Sequence, residues 1–345
     1  MGRLCYITRN YYHLRGAGNK AKTDNEATLK QMGAVNLGLP TTICNSKVVA
    51  FVLNIIGLAK FAVCLRKGDV LFLQYPIKKY FSFVCRVARF KKARTIVVIH
   101  DLMSKHRKRV SEADELKALS VVDYVIASNE QMKQWFEERG IDVPVGSLGL
   151  FDYRSDAEAS DKDIEEPHRW SLVYAGSITM RKNPYLLKLA QQTSAYDLHI
   201  YGNVDNVPGL KDIDSVVCHP FTPADDFISS AEGDFGLVWD GDSLDTCRGD
   251  FGEYLKYNSP HKVSFYIRAG LPVIIWRQAA VASIIEKEKI GFCIDTIDDI
   301  EKRLQSLSAS EYAEMKSNVR RVSDKLKEGG FLKEALDEAY RRLAL

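Results

Sequence analysis

Residues 257–275 read YNSPHKVSFYIRAGLPVII. Asn258, Ser259 and Pro260 are residues that start helices. A helical run then reaches Gly270, a residue suited to a helix end, and LPVII follows as an apolar strand. The first helical turn carries His261 and Lys262. The positive end of a helix dipole disfavours cations there. Either the pair is incidental, or an anion belongs at this helix start, where first-turn amides bind phosphate well.

Outward from this stretch, short apolar strands alternate with amphipathic helices, the pattern of a parallel α/β sheet. In the first half the strands are 4–8, 69–75, 94–100, 123–128 and 143–149, with helices near 20–33, 48–66, 77–91, 111–119 and 129–139. Residues 154–168 are polar, acidic and aperiodic, and read as a flexible linker. Strands then resume at 170–176, 197–202, 215–221, 234–239, 271–276 and 291–294, and a long helical tail covers 297–343. The expectation is an α/β protein of two doubly wound, Rossmann-like domains facing across a cleft, where ligands gather beyond strand carboxyl ends. The domains are 1–152, a linker at 153–169, 170–325, and a C-terminal helix at 326–345 free to pack back on the first.

The 345 residues have a net charge of +3, unevenly spread. Residues 1–150 hold 24 Lys and Arg against 12 Asp and Glu, a net of +12, and the remainder carries −9. The first half is thus suited to an anionic surface or ligand. Its basic stretches are 77–94, with cations interleaved among apolar residues as in an interfacial helix, and 104–110. A solvated helix face is the plain alternative for both. The acidic second half and the lack of aromatic-interleaved RNA motifs count against nucleic acid. Seven scattered cysteines without a C-x-x-C pair indicate reduced thiols in a cytosolic protein, and no signal peptide is expected. The apolar run 48–65 is interrupted by Asn54, Gly57 and Lys60, and reads as a buried or interfacial helix rather than a spanning one.

Other corners carry polar chemistry. The loop after the first strand of the second half is YAGSITMRKNPYLL (174–187). Gly176 and Ser177 leave the strand, and Arg181 and Lys182 are two adjacent cations able to neutralise a diphosphate. Tyr201, Gly202 and Phe221 follow the next two strands, where a base or ribose could lie; core packing is the simpler reading of either aromatic alone. In the first half, 15–22 (RGAGNKAK) opens a helix with Gly16, Gly18 and Asn19. A dinucleotide fingerprint would need a third glycine and a later acidic residue, and both are missing. Asp240 and Asp242 have the D-x-D spacing of a divalent-metal site, with an acidic turn as the plainer reading.

The segments AGSI…RKN, HIYGN, DFGLVW and above all NSPHKVSFYIRAGLPVI resemble the nucleotide-sugar half of a GT-B glycosyltransferase. The likeness is to bacterial β-1,6-galactofuranosyltransferases and related glucosyltransferases, and LQYPI (73–77) and IHDL (99–102) extend it over most of the chain. The resemblance implies a UDP-sugar donor whose diphosphate is neutralised by Arg181 and Lys262, with Tyr257 and Asn258 nearby and Tyr201 and Gly202 bordering the nucleoside. The E-x7-E pattern of many retaining members is absent before AGLPV, which is compatible with inversion. An inverting displacement needs a base, and His100 or Asp101, at the carboxyl end of a strand, could serve. Gln74 and Tyr75 are candidate acceptor contacts. The expected activity moves galactofuranose, or secondly glucose, to a surface-polysaccharide or polyprenyl-linked acceptor, without metal or other cofactor. The expected location is the cytoplasmic face of the membrane, as a peripheral protein, with homo-oligomerisation open. The alternatives are an inactive nucleotide-sugar-binding scaffold subunit and a metal-dependent transferase using Asp240 and Asp242.

Overall fold

Apolar, β-branched runs recur twice along the chain, and each set builds its own sheet. The computed structural model describes residues 2–8, 10–11, 17–44, 46–77, 80–106, 110–160, 168–192 and 195–345. Gly16, Lys78 and Lys79, Arg107 to Arg109 and residues 161–167 of the expected linker lie outside them. In spatial order the first sheet is Val35–Asn36, Leu4–Tyr6, Val70–Tyr75, Arg94–Ile99, Tyr124–Ala127 and Val145–Ser147. The second is Val216–His219, Asp197–Tyr201, Ser171–Ala175, Phe235–Val238, Val273–Trp276 and Gly291–Ile294. Every pairing in both is parallel. Central strands are buried on both faces, which is why they read as continuous apolar runs. Three two-residue strands, Asn10–Tyr11, Val35–Asn36 and Thr42–Ile43, were outside the expectation, because two residues carry no readable period.

The chain divides into two compact units, residues 1–152 with 328–345, and residues 153–327. In the first, the end of the chain is held by Asp152. Its buried carboxylate accepts the amides of Phe331 at 3.1 Å and Leu332 at 2.9 Å, at the start of the helix Gly330–Arg342. Gly329 precedes that helix at φ +72°, where a Cβ would lie 2.3 Å from Thr28 Oγ1. The expected long tail is therefore three helices, Asp299–Gln305, Ala309–Lys327 and Gly330–Arg342, broken by this left-handed turn and by residues 306–308.

The helix Lys47–Cys64 is long and apolar enough to cross a membrane, yet 17% of it is buried. Only Ala50, Gly57 and Phe61 face inward, while Val48, Phe51, Val52, Ile55, Ile56 and Val63 are exposed. The buried-helix half of the expectation is thus corrected.

In the second unit the strand order reverses between Ser171–Ala175 and Phe235–Val238. Ligands of doubly wound sheets bind at such a switch point. The helix His261–Arg268 is seated beside it by Gly236, where a Cβ would come within 2.2 Å of the Tyr266 ring. The Tyr266 hydroxyl accepts the Ala175 amide at 2.9 Å. At the same helix's other end, buried Arg268 donates to the carbonyls of Ser155 at 3.0 Å and Ala157 at 2.6 Å, and to Ser323 Oγ at 2.7 Å. The front of the expected flexible linker is therefore anchored, because a buried guanidinium needs carbonyl partners.

Asp152→Ala should lower the stability of the first unit by about 1–2 kcal/mol, the worth of a helix cap. The first transition in urea should move to lower concentration; an unmoved transition would show that the helix Gly330–Arg342 does not depend on this cap.

Candidate functional site

The strand Ser171–Ala175 ends at Gly176, whose φ of +136° suits glycine alone. The Gly176 amide donates to the Tyr201 carbonyl at 3.0 Å. The chain then turns through Thr179, whose carbonyl accepts the amides of Lys182 at 3.0 Å and Asn183 at 2.8 Å. That turn separates the two adjacent cations. Arg181 points outward over the Phe251 ring at 5.1 Å, with Asp250 4.0 Å away. Lys182 turns inward.

What Lys182 meets is Asp240, just past the strand Phe235–Val238. The ammonium lies 3.4 Å from this buried carboxylate, which also accepts Asn183 Nδ2 at 3.3 Å. Lys262, in the first turn of the helix His261–Arg268, places its ammonium 3.6 Å from the Tyr174 ring centroid. Desolvation and the neighbouring Lys182 charge push Lys262 down to about 7, against the pull of Asp240. Burial pushes Asp240 up, while Lys182 and Lys262 hold it down. Two half-buried lysines thus share one buried carboxylate at a helix start. The corner has cationic capacity to spare, and first-turn amides add to it. Asn183 Oδ1, Tyr185 Oη and Asn258 Oδ1 are buried there or nearby without hydrogen-bond partners.

The remaining expected donor residues divide by what holds them. Ser177 is exposed, its carbonyl accepting the Tyr174 hydroxyl at 3.3 Å. Tyr257 and Asn258 are half-buried just before the helix. His261 stacks on Tyr153 at 4.9 Å. Phe221 is 83% exposed. Tyr201 is core: it stacks on His219 at 4.0 Å, packs edge-on to Phe227 at 4.8 Å, and its hydroxyl accepts the Glu232 amide at 2.8 Å. Gly202 is needed by the protein itself, since a Cβ there would lie 2.5 Å from the Gly176 carbonyl oxygen. Tyr201 and Gly202 are thus each held by the protein's own packing. Of the two adjacent cations, Lys182 stands beside Asp240 and Arg181 beside Asp250. Of the D-x-D pair, Asp240 is buried beside Lys182, while exposed Asp242 pairs with Arg248 at 2.9 Å.

In the first unit, His100 ends the strand run Arg94–Ile99 and stacks on Phe151 with centroids 4.8 Å apart. Its Nε2 lies 2.9 Å from Gln74 Oε1. Gln74 Nε2 donates to the Lys22 carbonyl and Asn25 Nδ2 donates to Gln74 Oε1, which fixes the amide's orientation. Nε2 of His100 therefore carries the hydrogen, leaving Nδ1 as the basic nitrogen. Asp101 follows, half-buried. Gln74 is thus a brace for His100, and Tyr75 donates its hydroxyl to Glu115 at 2.9 Å. Glu115 is a buried carboxylate that the sequence did not single out; it also caps the helix Met103–His106 through the amides of Met103 and Ser104. Gln74 and Tyr75, the expected acceptor contacts, thus each hold a partner within the first unit. Gly18 and Asn19 lie in the first turn of the helix Ala17–Gln31.

Two doubly wound parallel domains are the architecture of the GT-B glycosyltransferases. The fold is similar to that of the lipopolysaccharide outer core galactosyltransferase WaaB, with a TM-score of 0.61 at 13% identity over 97% of this chain and 99% of that one. The profile of the glucosyltransferase 3-like N-terminal domain matches residues 4–150, and that of the C-terminal domain residues 172–339. The chain belongs to this glucosyltransferase 3-like family. It is 28% identical over 331 residues to the β-1,6-galactofuranosyltransferase WbbI of Escherichia coli (strain K12), covering 94% of each. To glucosyltransferase 3 of Streptococcus gordonii it is 29% identical over 181 residues, covering 46% of this chain and 53% of that one.

The Lys262 ammonium should titrate at about pH 7 by NMR, against about 10.4 for an ordinary lysine. Asp240→Asn should shift it further down, because the Asp240 charge pulls it up. An ordinary lysine titration would refute this description of the corner.

Proposed function

We propose that this protein moves a hexose from a uridine diphosphate sugar to a hydroxyl of a surface-polysaccharide or lipid-linked glycan, with no metal at the diphosphate. The observation that carries the proposal is the corner in which Lys182 and Lys262 are both set against Asp240, beside a helix start at the switch point. A diphosphate entering there gives Lys262 a partner and restores its proton. The same groups then stabilise the leaving diphosphate as the glycosidic bond breaks, the kind of preorganised electrostatics that dominates such catalysis. Arg181, on its exposed arm, is able to add a contact from the loop. His100, braced by Gln74 and Phe151, or the adjacent Asp101, takes the acceptor proton. Galactofuranose is the first choice of sugar and glucose the second, in keeping with the names of the relatives.

The membrane half of the proposal rests on the helix Lys47–Cys64, whose exposed apolar side and flanking Lys47 suit the surface of an anionic bilayer. On this reading the protein works at the cytoplasmic face of the membrane. Ile56→Asp should reduce co-sedimentation with phosphatidylglycerol vesicles and leave nucleotide binding unchanged; equal sedimentation would remove this helix from the proposal.

In a thermal-shift panel, UDP should raise the midpoint more than GDP or dTDP, with or without EDTA. Lys262→Ala should abolish most of that shift and cut transfer by at least about 100-fold, as for loss of one preorganised oxyanion contact. Unchanged transfer would overturn the proposal. UDP affinity should also depend on pH with a definite sign. Below about 7 the empty site already holds charged Lys262. Above it the empty site is neutral and must take up a proton on binding, so affinity should fall by up to about tenfold per pH unit. A flat profile between pH 7 and 9 would separate Lys262 from the diphosphate.

A further inference from the structure

One cluster of chemically active side chains lies outside the donor corner. His199 sits inside the strand Asp197–Tyr201, and His219 ends the edge strand Val216–His219. Register sets Tyr201 opposite His219, so His199 and His219 lie diagonally on one face. His199 Nδ1 is 3.0 Å from His219 Nε2, and the two rings are inclined by 24°. Glu232, in the connection to the strand Phe235–Val238, brings its carboxylate within 4.8 Å of a ring nitrogen of each histidine. Both imidazoles are half-buried and the carboxylate is exposed.

We propose that His199, His219 and Glu232 bind a divalent transition-metal ion, zinc first, with water completing the coordination. Two imidazoles and one carboxylate are a donor set that zinc takes in four-coordinate sites with an open position. The spacing fits. Tetrahedral bonds of about 2.0–2.1 Å place ligand nitrogens about 3.3–3.4 Å apart, a few tenths beyond the separation seen here. In the metal-free chain one hydrogen bridges the two imidazoles. On binding, that hydrogen moves to the other nitrogen of its own ring, and both facing lone pairs become ligands, with no net proton change between neutral rings.

Tyr201 organises the set from behind. Its ring lies parallel to His219, at 3° and 4.0 Å, and its hydroxyl accepts the Glu232 amide at 2.8 Å. Such supporting contacts hold ligand orientation in metal sites. The ion would tie the edge strand to the loop that precedes the strand Phe235–Val238. It is distinct in its residues from the donor corner of Lys182, Asp240 and Lys262, so its presence and the metal-free transfer chemistry are separable.

The full-length protein is stripped with EDTA, dialysed and titrated with Co²⁺ and then Zn²⁺. One Co²⁺ per chain should bind with the visible absorption of a four-coordinate ion, and Zn²⁺ should displace it. Zn²⁺ should raise the thermal midpoint, whereas Mg²⁺ should leave it unmoved, because imidazole ligands suit zinc and not magnesium. His199→Ala with His219→Ala should weaken binding by more than about 100-fold, and Glu232→Gln by about 10-fold or more, scaled from the loss of supporting contacts alone. The circular dichroism and UDP shift of each variant report whether it is folded, and Glu232→Gln, at an exposed position, keeps the test alive if the double variant does not fold. Absence of saturable Co²⁺ binding, or unchanged affinity in a folded variant, would overturn the proposal. Loss of the UDP shift in Lys262→Ala with zinc binding intact would support this site independently of the donor reading.

Discussion

The Tyr266 hydroxyl accepts the amide of Ala175, the last residue of a central strand, and this contact sets where everything around Gly176 can go. Lys262 is four residues earlier on the same helix, hence on the same face. Once Tyr266 is docked against Ala175, Lys262 falls over Tyr174 and beside the turn that begins at Gly176. Docking is possible because position 236 has no side chain; any Cβ there would collide with the Tyr266 ring and lift the helix from the sheet. A hydrophobic contact alone would allow the helix to slide. A buried hydroxyl with one acceptor role and one amide to fill it does not, since slippage leaves both polar groups unpaired in the core.

Asp240 then determines what the corner is when empty. Two ammonium groups in a desolvated corner repel each other, and one of them gives up its proton unless a counter-charge is near. A single carboxylate keeps Lys182 at 3.4 Å as its partner and leaves Lys262 poised near neutrality. This is a compromise between two failures. With a second carboxylate the lysines would be satisfied and an incoming anion would gain little. With none, both ammonium groups would be costly to bury. One carboxylate for two lysines keeps the empty state tolerable and leaves a definite gain on binding an anion.

How much of this the sequence could disclose depends on whether the deciding geometry is local. The strands were legible because fully buried parallel strands are apolar on both faces, so Val70–Tyr75 and Val273–Trp276 stand out as runs. The first-turn position of Lys262 was legible because Asn258, Ser259 and Pro260 fix the helix start. The choice between Arg181 and Lys182 was not, because both are cations and only the Thr179 turn determines which points inward. Asp240 looked like one half of an acidic pair, yet strand exit sends it inward while Asp242 goes outward to Arg248. Glu115 was invisible for a related reason: it sits on a polar helix, and its partners Tyr75, Met103 and Ser104 come from other segments. His199 and His219 are twenty positions apart, and only strand register brings them to 3.0 Å.

The first sheet shows the same rule on the side where a base is sought. Polar residues at strand ends tend to be recruited by the fold unless something prevents it. Tyr75 was recruited, its hydroxyl given to Glu115. Gln74 was recruited too, but in a way that orients a neighbour: with Lys22 and Asn25 fixing its amide, the oxygen it offers His100 requires a hydrogen on Nε2. Stacking on Phe151 restrains the ring further. A histidine held in one tautomer by a partner that is itself held has lost the freedom a surface histidine keeps. That loss of freedom fixes which ring nitrogen faces Gln74, a geometry that sequence position alone could not disclose for His100 or for the adjacent Asp101.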